Sequence, residues 1–159
     1  MKFEKFLKSV GTHGVVIERT EFEKWLVCDG VGMVIPRGVE NLLGTAIESE
    51  YATIVDVISP MDLDDPVELV RAELPNADGK AADIYRVFAT EYGVDEVAIC
   101  NADYGLLEKK DLLGYLEIDV DVDENGERLS EDKVKTVKYL LVFDQAHNIV
   151  GFITGSQKF

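Results

Sequence analysis

Tyr115-Leu116-Glu117-Ile118-Asp119-Val120-Asp121-Val122-Asp123 alternates apolar and acidic residues with a period of two. A half-buried strand has that period and a helix does not, so the run predicts a strand over 115–122. Leu116, Ile118, Val120 and Val122 fall on its core face. Glu117, Asp119, Asp121 and Asp123 line the other face, about 6.6 Å apart at a rise of about 3.3 Å per residue. Like charges so placed repel, and cations, salt or a partner must offset the cost. Asn125-Gly126 follows as a turn dipeptide.

Working outward, 136–144 and 149–154 read as a hairpin around Gln145-Ala146-His147-Asn148, and 96–100 as a strand. Residues 80–92 predict a helix with Ala81, Ile84, Tyr85, Phe88 and Tyr92 on one face and Gly93 as its stop. The segment 59–79 is broken by Ser59-Pro60, Asp64-Asp65-Pro66 and Pro75-Asn76-Ala77-Asp78-Gly79. It reads as a linker or long connection, in which Val67, Leu69, Val70 and Leu74 suit a short helix or strand. Nearer the start, Phe3, Phe6, Leu7 and Val10 fall at helical spacing ahead of Gly11. Strands follow at 13–18, 25–28 and 32–35, giving an antiparallel meander. A short helix is expected over 39–50 (Val39, Leu42, Leu43, Ala46, Ile47) and a strand at Ile54-Val55-Asp56-Val57-Ile58. The fold class is α+β: mostly antiparallel sheet of about seven or eight strands with two or three helices. It is read as one domain, 1–159, or as helix-plus-meander halves 1–58 and 80–159 joined by 59–79.

The chain has 159 residues, 47% of them hydrophobic, and a net charge of −15. That apolar content fits a folded domain rather than a disordered chain. The excess charge is local: residues 61–132 carry −15, against −3 before and +3 after. Such a balance argues against direct binding of nucleic acid phosphate or an anionic membrane, both of which need a basic patch. No apolar run approaches the ~20 residues of a membrane span. Met1-Lys2-Phe3-Glu4-Lys5-Phe6-Leu7-Lys8 has no apolar core of a signal peptide. Cys28 and Cys100 match no metal-ligand spacing and read as reduced thiols, with one disulfide between them left open, so the expected location is cytoplasmic.

Catalytic signatures are missing from the sequence. It has no HExxH, GxxxxGK[ST], GxGxxG or GxSxG. His13 and His147 stand beside a helix stop and in a hairpin turn, without a paired nucleophile. No cofactor or metal is expected, and the protein is read as a non-enzyme. Asp119, Asp121 and Asp123 do match positions 1, 3 and 5 of a calcium loop. Glu124 and Ser130, however, stand where glycine and a bidentate glutamate are needed.

For the acidic stripe the alternatives are two. Lys133, Lys135 and Lys138, just past the turn, can neutralise it as cross-strand pairs. Otherwise Glu117, Asp119, Asp121 and Asp123 form a docking surface for a basic protein. The Leu-Leu pairs of 105–113 suit a partner-docking element or a small helix packed on the sheet. Trp25, Phe22, Tyr51, Tyr85, Phe88 and Tyr92 are core candidates.

The lysine-bearing first helix, the meander through Trp25-Leu26 and Met33-Val34-Ile35-Pro36, and the closing hairpin Leu140-Leu141-Val142-Phe143-Asp144…Ile149-Val150-Gly151-Phe152-Ile153 resemble the small acidic proteins of bacteriophages and prophages. A helix and a run of strands, given twice, is also similar to a DNA sliding-clamp domain. Clamps line their ring with basic helices; here the first helix has Lys2, Lys5 and Lys8, while the second has Lys80 and Arg86 beside Asp83 and Glu91. The expectation is therefore a non-catalytic acidic module of phage or mobile-element type, binding a basic protein surface through residues 61–132. The clamp-like DNA-replication accessory is its alternative and an enzyme of unknown class the third reading. A homo-oligomer is compatible with either of the first two.

Overall fold

Alternating and β-branched apolar runs make this chain chiefly sheet. The computed structural model describes residues 1–38, 51–73, 85–91, 93, 95–123 and 125–156. In chain order these form α1 (Phe3–Val10), β1 (Val15–Thr20), β2 (Glu23–Cys28), β3 (Val31–Val34), α2 (Tyr51–Ile58), β4 (Val67–Glu73) and β5 (Tyr85–Thr90). Then come β6 (Glu96–Cys100), α3 (Asn101–Tyr104), β7 (Leu112–Val120), a 3₁₀ turn at Glu131–Lys133, β8 (Lys135–Phe143) and β9 (Ile149–Thr154). The fold is α+β, its described strands forming two antiparallel sheets ordered β1-β2-β3-β9-β8-β7 and β4-β5-β6. The N-terminal meander joins the C-terminal hairpins where β3 pairs with β9, Gly32 facing Phe152. Glycine is required there, because a Cβ on Gly32 would stand 2.2 Å from the Phe152 ring.

The six-stranded sheet buries both faces. Between the sheets lie Val16, Leu26, Met33, Leu140 and Ile153, met by Val67, Phe88, Val97 and Ile99 of the smaller sheet and by Phe6 and Val10 of α1. On the opposite face Ile17, Trp25, Val27, Leu141, Phe143 and Phe152 pack on Val55 and Ile58 of α2. The sheets are stitched at two points. Pro66 bridges Gly114, and Tyr115 N–H donates to Asp65 O (3.0 Å). At the other side Gly155 N–H donates to Lys138 O (2.7 Å) and Ser156 N–H to Ala98 O (2.7 Å).

Two expected elements are corrected. Tyr85–Thr90, inside the helix expected at 80–92, is a strand. Tyr85, Val87, Phe88 and Ala89 are all buried, so both faces of the strand are apolar, and periodicity does not separate such a run from a helix. Residues 80–84 of that helix and all of the helix expected at 39–50 lie outside the described residues. Gly93 ends a hairpin turn, its N–H donating to Thr90 O (2.8 Å), and stops no helix. Conversely, Ile54–Ile58, expected as a strand, is the last part of α2. Val55 and Ile58 are fully buried three residues apart while Asp56 and Val57 face out, so packing overrides the β-propensity of the run. Within the 59–79 segment, Val67–Glu73 is β4. The leucines of 105–113 are not a docking element: Leu106, Leu107 and Leu113 join the core between the sheets, and Leu112 the other.

Candidate functional site

β7 begins buried and ends in solvent. Gly114 is enclosed, Leu116 and Ile118 are half-buried against the α2-side core, and Val120 and Val122 are 39% and 45% exposed. The expected core face thus holds for the first two of its four residues, and the last two stand outside the core, beside Leu129 and Val134. Tyr115, Glu117 and Asp119 lie on the opposite face, across from Leu140, Lys138 and Thr136 of β8.

The register also fixes where the backbone of β7 points. In an antiparallel pair, residues alternate between exchanging hydrogen bonds with the neighbour and pointing their N–H and C=O away from it. Tyr115 N–H points away from β8, since it reaches Asp65 O, and Lys138 O points away from β7, to Gly155. By that alternation the N–H and C=O of Glu117 and Asp119 emerge on the outer edge, where no described strand pairs with them. The edge is closed on one side by Asp65 and on the other by Leu129, whose N–H donates to Asp121 O (2.6 Å).

The four expected site carboxylates are engaged to different degrees. Glu117 Oε2 accepts the Tyr115 hydroxyl (2.6 Å), and Asp119 Oδ1 accepts Thr136 Oγ1–H (2.7 Å). Asp123 Oδ1 accepts the N–H groups of Asn125 and Glu127 (2.9 Å each), so it organises its own turn. Asp121 is exposed beside that turn. Glu117 and Asp119 are thus grouped on one strand face, while Asp123 belongs to the turn. The calcium spacing gathers no shared site, with Asp119 on Thr136 and Asp123 on its turn amides. Among the described residues no cluster of three metal-ligating side chains is placed to hold an ion.

Lysine covers the stripe only in part, at Glu117. Lys138 stands opposite Glu117 and Lys135 opposite Val120, on the other face, while Lys133 sits in the 3₁₀ turn. Among the described residues, none of the three takes part in an ion pair.

A cleft of about 790 Å³ lies beside this edge, with Asp64, Asp65, Glu68, Glu91 and Asp95 in its wall and no basic side chain among the described residues that line it. Val70, 54% exposed, adds apolar surface. Beside the cleft wall at Asp65 stands Tyr115, whose N–H donates to that residue's carbonyl. Its hydroxyl titrates far above the ordinary tyrosine range, through burial first, then the hydrogen bond and charge of Glu117, then the charges of Asp95 and Asp65. Sequence reading treated Asp64-Asp65-Pro66 as punctuation and missed this cleft. Its only signal was the concentration of acid in 61–132.

Two other places gather polar or reactive side chains. A cleft of about 560 Å³ gathers Lys5, Ser9, Cys28, Asp29 and Asp103. Cys28 and Cys100 are both free, and burial leads the causes that raise both thiols, the opposite of what a thiolate nucleophile needs. Burial likewise raises Asp103, which is hydrogen-bonded with Cys100. At the end of α2, Ser59 Oγ donates to Glu23 Oε1 (2.5 Å) and accepts from Arg19 Nη1 (2.8 Å), while Trp25 Nε1 donates to the same Glu23 oxygen (2.9 Å). That network clasps the helix to β1 and β2, and the separation of 36 positions from Glu23 to Ser59 hid it from sequence reading. His13 and His147 are exposed.

No family model, curated protein or solved structure matches the chain. Among the described residues no helix is long and apolar enough to cross a membrane.

Proposed function

We propose that this protein is a non-catalytic interaction module, of the acidic phage or mobile-element type that its sequence resembles, which docks a basic segment of another protein. The observation that carries the reading is the closeness of two acidic features. The cleft of Asp64, Asp65, Glu68, Glu91 and Asp95, with no basic side chain among its described lining residues, adjoins the β7 edge where Tyr115 N–H donates to Asp65 O. A low-dielectric wall lined by one sign of charge raises the local concentration of the opposite sign and steers its approach. The clamp-like alternative draws its second inner helix from 80–92, whose described part is β5, so the acidic-surface reading is preferred.

The experiment measures anisotropy of a labelled lysine-rich peptide against the protein as salt rises. Binding should weaken steeply toward about 0.5 M salt, where screening is short-ranged. Replacing Asp64, Asp65 and Asp95 together by Asn should weaken it about tenfold, by loss of electrostatic complementarity. Replacing Glu4, Glu18 and Glu21 by Gln makes the same change in net charge away from the cleft and should leave binding nearly unaltered. Equal losses in the two variants would reduce the interaction to net charge and remove the reading.

A further inference from the structure

We propose that the basic segment enters as a strand, pairing with the outer edge of β7 at Glu117 and Asp119; this deepens the docking reading above and rests on it. The edge, which no described strand covers, offers the N–H and C=O of those two residues, bounded by Asp65 at Tyr115 and by Leu129 at Asp121. At about 3.3 Å per residue this window takes a short stretch of extended chain, roughly five residues. An added strand sets its side chains opposite those of β7 on the same face. Positions across from Glu117 and Asp119 therefore meet carboxylates, and the position across from Ile118 meets apolar surface that continues to the exposed Val120. The complementary pattern is basic, apolar, basic. A chain with that pattern running past Tyr115 also brings its cations to Asp65 and Asp95 of the cleft.

Charge decides between occupants. A second copy of this protein pairing edge to edge would bring Glu117 and Asp119 against their own equivalents. Acidic side chains on an edge strand are a known means of preventing self-pairing. The same groups favour a lysine- or arginine-bearing strand, for which the edge supplies main-chain hydrogen bonds and the carboxylates supply selectivity.

The test uses the full chain and a synthetic peptide alternating Lys with Val, followed by amide hydrogen exchange resolved by NMR. The amides of Leu116, Ile118 and Val120 face β8 by the alternation and should be protected before the peptide is added. Those of Glu117 and Asp119 should exchange fast in the free protein and slow at least about tenfold on binding. A peptide of the same composition with its lysines in one block, and an alternating peptide N-methylated at every second residue, should each bind about tenfold more weakly. Binding that leaves Glu117 and Asp119 unprotected, or that tolerates N-methylation, would overturn strand addition while acidic docking stands. Failure of either unmethylated peptide to bind more tightly than a neutral one would overturn both. A Glu117→Gln, Asp119→Asn variant, changed only at exposed side chains, should keep its fold and lose the preference for the alternating peptide; an unchanged preference would place the peptide elsewhere.

Discussion

The two ends of the β7–β8 hairpin have nearly the same local geometry and opposite surroundings. At one end Leu140, Val142 and Phe143 are fully buried, and the second sheet is stitched on through Gly114 and Tyr115. At the other, Glu117, Asp119 and Val120 are exposed, with one strand edge paired by no described strand. The exposed end alternates apolar and acidic residues, whereas the buried end, Leu112-Leu113-Gly114 against Leu141-Val142-Phe143, is apolar on both faces. The difference follows what is packed on each end.

If the buried end carries the stability, Phe143→Ala should have the largest effect, a loss of about 3–5 kcal/mol measured by urea unfolding. An effect as small as that of surface truncation would erase the contrast between the ends. Next comes Gly114→Val. A Cβ there would already sit 3.2 Å from both Leu63 Cδ1 and the Phe143 ring. A cost of about 1–3 kcal/mol is expected, since a tightly packed site accepts added methyls badly. At the exposed end, Asp123→Ala removes the acceptor of two turn N–H groups, and about 1 kcal/mol should be lost. Val122→Ala should lie within about 0.5 kcal/mol of the parent, because little packs on that side chain.

Tyr115 sits at the boundary and gives a pH test. Its hydroxyl is raised above the ordinary value of 10.0, so ionisation costs more in the folded protein than in the unfolded chain. Its contribution is complete below pH 10.0 and is lost as pH climbs from there through the raised folded value. Tyr139 shifts the same way, through burial alone. In Glu117→Gln, ultraviolet titration should show the Tyr115 value moving down yet staying above 10.0, because burial, its largest cause, persists. A return to 10.0 would mean that Tyr115 belongs with the solvent-facing end.

What the sequence disclosed follows from the range of each signal. The β7 strand and the Asn125-Gly126 turn were readable because their patterns are local and one-sided, and the 136–154 hairpin because two apolar runs flank a short polar turn. β5 was read as helix because Tyr85, Val87, Phe88 and Ala89 are apolar on both faces. α2 was read as strand because four of the five residues Ile54–Ile58 are β-branched, and only the contact of Val55 and Ile58 with the sheet decides otherwise. Glu117 and Asp119 could be named as an acidic face, but not as an edge. Their outward backbone depends on Asp65 and Gly155, far away in the chain. The cleft likewise joins residues from β4 and from the β5–β6 turn that no spacing rule connects.

The seam between β3 and β9 has a consequence for how the molecule is made. Val31 pairs with Ile153 and Met33 with Gly151, so the six-stranded sheet becomes one body only when the last described strand meets the third. During synthesis β1, β2 and β3 emerge early, with the inner edge of β3 bare until β9 has left the ribosome. Contacts so distant in sequence slow folding and leave strand edges open to misassociation in the meantime. The nascent meander is therefore the stage at which this protein is most in need of a chaperone, and synthesis arrested before β9 should yield aggregate rather than a soluble half.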